Sequence, residues 1–193
     1  MNGLENFRQI SSFEKKIILD SLSTTSSKIL QFLNELRYFL YISFRQVETR
    51  DNYPVVFLLT IDQKRFLELI NGNRAIHSGG LYFGFIKRDN FLLSIEGAEF
   101  LYKNKIFPEF QQIFLNNKGE KSFLYGNNIS KKMIDKFPPK LKKKDFLLVL
   151  NNLNEILGIS QSRCDSQIIQ TLNSKDIVAN NLNDKGIYLR KAQ

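Results

Sequence analysis

The chain has 193 residues, 42% of them hydrophobic, enough to bury the core of one ordinary domain or two small ones, so disorder is not the default reading. A net charge of +9 and an isoelectric point near 9.6 bias its partners toward polyanions, nucleic acid first and acidic lipid or protein second. Cys164 is the only cysteine, which excludes an intrachain disulfide and a cysteine-built metal site and fits a reducing compartment. Met1 to Ile10 lacks the apolar core of a signal segment. The most apolar helical stretch, Lys28 to Phe44, is broken by Gln31, Asn34, Glu35 and Arg37, so no membrane span is expected.

Ser11-Ser12-Phe13-Glu14 has the form of a capping box and predicts a helix carrying Phe13, Ile17, Ile18 and Leu22 on one side. After a polar break, Ser23 to Ser27, a second helix places Ile29, Leu30, Phe32, Leu33 and Leu36 on one face. From Tyr38 the pattern alternates, Leu40, Ile42 and Phe44 against Ser43 and Arg45, which is the period of a strand. Asp51-Asn52 marks a turn before Val55 to Leu59, a continuous apolar strand. Thr60 with Gln63 is a second capping box, opening a helix through Ile70 that Asn71-Gly72 stops. Gly80 to Ile86 and Phe91 to Ile95 read as a hairpin joined by Lys87-Arg88-Asp89-Asn90. A short helix near Ala98 to Tyr102, Pro108 and a strand around Phe110 to Leu115 follow.

Asn116-Asn117-Lys118-Gly119 is the clearest linker signal, and the domain boundary is expected there, giving domains 1–118 and 119–193. The first alternates helices and strands and reads as α+β. In the second, Phe123-Leu124-Tyr125 forms a short apolar turn stopped by Gly126-Asn127-Asn128. Phe146 to Leu150 and Ile156 to Ile159 read as an antiparallel pair, and Ile177-Val178 and Ile187 to Leu189 as further strands. Short strands with frequent turns predict a small barrel-like domain. It is also the more basic one, at net +6 against +3 for residues 1–118.

Catalytic signals are poor. His77, the only histidine, and Cys164 lie in no nucleophile motif. Ser78 to Gly84 is glycine-rich but has neither dinucleotide-fingerprint nor P-loop spacing, so it reads as a loop entering a strand, with Gly84 at a bulge or close contact. The acids are scattered, with no metal or paired-carboxylate arrangement. No enzyme, cofactor or metal is expected. The basic segment carries more information: Lys121 to Lys144 holds eight lysines and one acid, Asp135. Lys131, Lys132, Lys136, Lys140, Lys142, Lys143 and Lys144 flank Met133, Ile134, Phe137 and Leu141, which anchor them to a folded element. The residues alone leave two readings open, a phosphate-neutralising surface and a solvated lysine loop. Tyr125 and Tyr188 have the chemistry to stack on bases, and equally that of core or rim packing.

Ser122-Phe123-Leu124-Tyr125-Gly126-Asn127, Ile129 to Ile134, and Leu148 to Gly158 closely resemble the PUA domain of the Nip-seven family of large-subunit ribosome-biogenesis factors. Asp184-Lys185-Gly186-Ile187-Tyr188-Leu189-Arg190 is similar to that family's closing motif, and Arg8 to Glu14 to the start of its archaeal members. The resemblance implies an N-terminal antiparallel sheet with surrounding helices and a C-terminal PUA-type β pseudo-barrel. It implies non-catalytic binding of single-stranded, U- or A/U-rich pre-rRNA through the PUA domain, in rRNA processing and large-subunit assembly. Other assembly factors, and in some members the RNA exosome, are the implied protein partners, with the N-terminal domain docking them. The chain is expected to act as a monomer, cytoplasmic in an archaeon and nucleolar in a eukaryote.

One departure bears on the site. The stretch before the closing motif, Asp176 to Asn183, has no basic residue, and Asn180 and Asn183 stand where the family tends to have lysines. The RNA surface is therefore expected to use Lys131, Lys132, Lys142, Lys143, Lys144, Arg163, Lys175, Lys185, Arg190 and Lys191, with Asn180 and Asn183 as hydrogen-bonding contacts. Two alternatives stand beside this reading: an RNA-modifying enzyme or its accessory subunit docking RNA through the PUA domain, and an adaptor whose basic face meets an acidic protein.

Overall fold

The computed structural model describes residues 7–22, 26–35, 37–44, 53–70, 76, 78–106 and 111–190. It divides the chain into two compact units, residues 1–106 and 107–193.

In the first unit, strands β1 (Phe7–Gln9), β2 (Phe39–Ser43), β3 (Val55–Leu59), β4 (Leu81–Lys87) and β5 (Asn90–Leu93) form one antiparallel sheet in chain order. Helices α1 (Ser12–Ser21), α2 (Ser26–Glu35), α3 (Ile61–Ile70) and α4 (Ile95–Lys103) surround it. Both capping boxes form: Ser11 Oγ accepts from Glu14 N and Glu14 Oε2 from Ser11 N, and Thr60 and Gln63 exchange the same pair of bonds. Arg88 and Asp89 both take positive φ, 48° and 60°, so a two-residue turn whose twist matches the strands closes the β4–β5 hairpin. One expectation shifts. Ile95 ends no strand but begins α4, because Ser94 caps it by accepting from Gly97 N at 2.8 Å. The predicted stops at Asp51-Asn52 and Asn71-Gly72 lie outside the described residues, as does His77. The bulge expected at Gly84 is present where β3 and β4 shift register.

Glu14 does more than close a cap. Arg8 grips both its carboxylate oxygens, at 2.7 and 2.8 Å, and this hydrogen bonding outweighs burial and holds the carboxyl at about 2. A pKa below the unfolded value means stability that is complete above about pH 5 and is lost as the pH falls toward 2. The pair is solvent-accessible, so its contribution is of order 1 kcal/mol or less. Thermal melts from pH 7 to 2 are expected to show a shallower acid decline for Glu14→Gln than for the parent; parallel declines would exclude this linkage.

In the second unit, β6 (Gln112–Leu115), β7 (Ile129–Ser130), β8 (Ile134–Lys136), β9 (Phe146–Leu150), β10 (Ile156–Ser162) and β11 (Ile177–Asp184) form a six-stranded sheet ordered β7-β11-β10-β9-β6-β8. A single 3₁₀ turn, Lys131–Met133, links β7 to β8, the two outer strands, so the sheet curls into a nearly closed barrel, as expected. Its core gathers Ile113, Leu115, Phe123, Ile129, Leu147, Val149, Ile169 and Val178. Helices α5 (Asn117–Leu124), α6 (Ser166–Thr171) and α7 (Ile187–Arg190) complete the unit.

The boundary expected after residue 118 is corrected to 106/107. β6 pairs in parallel with β9 and antiparallel with β8, and so belongs to the barrel. The Asn-Asn-Lys-Gly run that imitated a linker is a helix start: Asn116 caps α5 by accepting from Gly119 N at 2.9 Å and donates to the Lys132 carbonyl. Linkers and helix caps draw on the same residues, which is why local sequence could not separate them. Ile187 to Leu189, expected as a strand, lies in α7; it follows directly on β11, with Arg190 N bonded to the Gly186 carbonyl.

Candidate nucleic-acid interface

The barrel sorts its basic residues by end. β10 leaves the barrel at Ser162, α6 crosses, and the chain re-enters at Ile177 on β11. The lysine loop between β8 and β9 is tied to that same crossing. Lys144 N donates to the Ser162 carbonyl, Lys143 N to Asp165 Oδ1, Ser166 N to the Leu141 carbonyl and Ser166 Oγ to the Pro139 carbonyl. Leu141 is buried in the core beneath the loop, and Asp145 bridges back by accepting from Lys142 N. Lys142, Lys143 and Lys144 are themselves exposed. The loop is thus a hydrogen-bonded shelf that holds three ammonium groups in water, not a solvated tether. Lys144 takes φ of 72°, a left-handed conformation that a side-chain-bearing residue adopts at a cost.

Arg163, exposed just beyond β10, is fixed through its N–H to the Val178 carbonyl, and Lys175 is exposed in the turn before β11. Lys132 N bonds the Ser174 carbonyl, which brings Lys132 to the same crossing with its side chain exposed. Six of the expected residues, Lys132, Lys142, Lys143, Lys144, Arg163 and Lys175, therefore gather around one end of β10 and β11. Their α-helical neighbour adds no negative charge in its first turn beyond Asp165, which is engaged with Lys143 N.

Lys131 belongs to the frame. Its ammonium donates to the carbonyls of Gln170, at 2.7 Å, and Leu172, at 2.5 Å, at the C-terminal end of α6, where unpaired carbonyls and the helix dipole favour a cation. Arg190 also belongs to the frame. Its Nη1 and Nη2 hold the two oxygens of buried Asp184 at 3.0 and 2.9 Å, and Nη1 donates to the Leu124 carbonyl at the end of α5. Hydrogen bonding to Asp184 pushes the guanidinium's already high pKa up further. Lys185 is exposed at this second end of the barrel, with its N–H on the Leu157 carbonyl. Lys191 lies outside the described residues, as does the Tyr188 side chain.

The two asparagines differ from one another. Asn180 pairs with Gln161 and is half-buried, near the lysine end. Asn183 pairs with Ile159 and turns its Oδ1 inward, buried without a donor, so that oxygen does not face a ligand in this conformation. Cys164 is half-buried, and burial pushes its thiol up, away from the reactive thiolate. Among the described residues, no three of His, Cys, Asp or Glu gather as a metal site. Also among them, no helix is long and apolar enough to cross a membrane.

A family model described as the UPF0113 PUA domain matches residues 111–193, which coincide with the barrel unit from β6 onward. The barrel is a PUA domain. The UPF0113 protein of Archaeoglobus fulgidus is 28% identical over 184 residues, covering 95% of this chain and 94% of its own. Among solved structures, a hypothetical protein of Pyrococcus horikoshii has a TM-score of 0.61 at 12% identity, covering 95% of this chain and 98% of its own. A conserved PUA domain protein from Thermoplasma acidophilum has a TM-score of 0.57 at 13% identity, covering 96% and 98%. At such identities the likeness establishes the fold, here over nearly the full length of both chains.

Sequence reasoning missed two features of the PUA domain. It counted Lys131 and Arg190 as surface cations, because the carbonyls that engage them lie 39 to 66 residues away. It also did not foresee the β11 bulge. Ser160 pairs with Asn181 and Ile159 with Asn183, so Leu182 has no partner and stands 43% exposed.

Proposed function

We propose that this protein is a non-catalytic RNA-binding factor that holds pre-rRNA through its PUA domain during large-subunit assembly. The observation that carries the RNA reading is the shelf of Lys142, Lys143 and Lys144 beside Lys132, Arg163 and Lys175. Backbone hydrogen bonds to the Ser162 carbonyl and to the carboxylates of Asp165 and Asp145 order the loop that carries these lysines, yet the lysines themselves are exposed. Such a surface neutralises several phosphates with little base information. The ribosome-assembly role, the preference for U- or A/U-rich single strands and the assembly-factor or exosome partners rest on the resemblance to the Nip-seven family. The archaeal relatives support a cytoplasmic setting.

Replacing Lys142, Lys143 and Lys144 together with glutamine is expected to weaken binding of single-stranded RNA. It should also reduce the slope of log affinity against log salt by about 2, from three phosphate contacts at roughly 0.7 each. Unchanged affinity with an unchanged slope would exclude the shelf. Crosslinking in cells with sequencing of bound RNA tests the assembly role: signal confined to large-subunit precursors supports it, and signal spread over unrelated RNAs overturns it. Methylation and pseudouridylation assays on bulk rRNA test the absence of catalysis.

A further inference from the structure

We infer that Lys144 anchors an internal phosphodiester of RNA, and that it is kept for this at a turn position where glycine would fold with less strain. The inference rests on the RNA-binding reading and deepens it to one residue and one class of phosphate. The Asp145 N–H bonds the Lys142 carbonyl at 3.1 Å, so Lys142 to Asp145 is a β-turn with Lys144 as its third residue. Lys144 has φ of 72° while Lys143 keeps the ordinary negative φ, which gives the type II form. That form reserves its third place for glycine, because a Cβ there crowds a neighbouring carbonyl oxygen.

Two of the other cations at positive φ are compensated within the fold. Arg37, with φ of 53°, follows α2, and Lys105, with φ of 58°, follows α4. The next residue closes each helix, Tyr38 N on the Leu33 carbonyl and Ile106 N on the Leu101 carbonyl, both at 2.9 Å. A positive charge there meets the carbonyl end of a helix, which favours it. Lys144 follows no helix. Among the described residues, no carboxylate forms an ion pair with its ammonium. The nearby carboxylates of Asp145 and Asp165 accept instead from Lys142 N and Lys143 N, at 2.8 and 2.7 Å. The strain at Lys144 thus has no return inside the chain, and a ligand supplies it.

The hydrogen bonds of the turn also select the ligand. Lys144 N donates to the Ser162 carbonyl at 2.9 Å, so all four N–H groups from Lys142 to Asp145 are committed. Ser162 N on the Asp145 carbonyl, at 2.9 Å, ties the turn to β10. A terminal phosphate, a dianion, is typically held by several converging backbone N–H groups. This turn has none to spare and offers the exposed ammonium, a point charge matched to a singly charged diester anywhere along a strand. Fixing the backbone beneath the side chain lowers the ordering cost of that contact.

The test compares Lys144→Gly, Lys144→Arg and Arg88→Gly with the parent full-length chain, using oligouridine with a 5′-hydroxyl or a 5′-phosphate as probes. Arg88, exposed with φ of 48° at the tip of the β4–β5 hairpin, is the control, since its loss removes the same charge from the same kind of backbone outside the PUA domain. Lys144→Gly is expected to slow hydrogen exchange of the core amides in residues 111–190 about two- to fivefold, as the turn relaxes. It should bind oligouridine about fivefold more weakly at roughly 0.1 M salt, with a salt slope smaller by about 0.7. Lys144→Arg and Arg88→Gly should bind as the parent does, and the 5′-phosphate should change the affinities of parent and Lys144→Gly by the same factor. If the triple lysine variant weakens binding but Lys144→Gly does not, the anchor is overturned and the shelf stands. The anchor is also overturned if Arg88→Gly loses as much affinity, if exchange in residues 111–190 quickens, or if Lys144→Gly abolishes a preference for the 5′-phosphate. If the parent does not bind oligouridine, the RNA reading fails and the anchor with it.

Discussion

Phe123→Ala is expected to lower the stability of the PUA domain by about 3–5 kcal/mol, the usual loss when a large aromatic is removed from a closed core. Phe123 is fully buried and sits among Ile113, Leu115, Ile129 and Val178, at the point where α5 seals the barrel. Its neighbours cannot close on the void. Gly158 of β10 already lies so near that a methyl group there would stand 3.0 Å from the Phe123 ring, and the surrounding strands are tied by ladder bonds. A domain of this size has about 5–15 kcal/mol of total stability, so the loss is a large share of it. Urea unfolding of the full chain, with hydrogen exchange to locate the change, should show residues 111–190 losing protection while the first unit keeps its own. A midpoint shift equivalent to less than about 1 kcal/mol would mean that α5 is not part of the sealed core.

The second large effect is expected at Gly186. It is buried between β11 and α7, and a Cβ there would land inside the van der Waals shell of the Leu124 carbonyl and 2.8 Å from Arg190 Nη1. The obstacle is backbone, so no side chain can swing aside. Relief requires moving the end of α5 or opening the Arg190–Asp184 pair, and either leaves a buried carboxylate or carbonyl short of donors. Gly186→Ala should therefore cost about 2–3 kcal/mol, seen as a fall in melting temperature of roughly 10–20 °C for a unit of this length. Gly79→Ala is the control, because the nearest atom to a Cβ there is Phe7 Cζ at 3.5 Å, an ordinary contact. Equal melting temperatures for the two variants would show that the closing motif is not packed as described.

The Gly186 effect concerns the Asp184–Arg190 segment as a lock. Arg190 reads as a surface cation in sequence, being charged and close to the chain end. In the fold Asp184 and Arg190 hold the end of α5 to the end of β11, and through it the turn that carries Tyr125.

Much of the architecture was legible in the chain because its signals are local. The capping boxes at Ser11–Glu14 and Thr60–Gln63 close within four residues, the Arg88-Asp89 turn has its own backbone preference, and β3 and β9 are apolar runs too short for helices. The PUA resemblance was equally readable from Phe123 to Asn127. What tertiary structure alone decided was the membership of β6, the helix at Ile187 and the fate of each cation. Asn116 reads as linker or cap until the Lys132 carbonyl and Gly119 N–H are placed beside it. Lysines are interchangeable in sequence, but Lys131 meets two unpaired carbonyls 39 and 41 residues away and becomes a helix cap, whereas Lys142 to Lys144 stay exposed. Charge is a property of the residue, and its availability is set by long-range hydrogen bonds that no local pattern encodes.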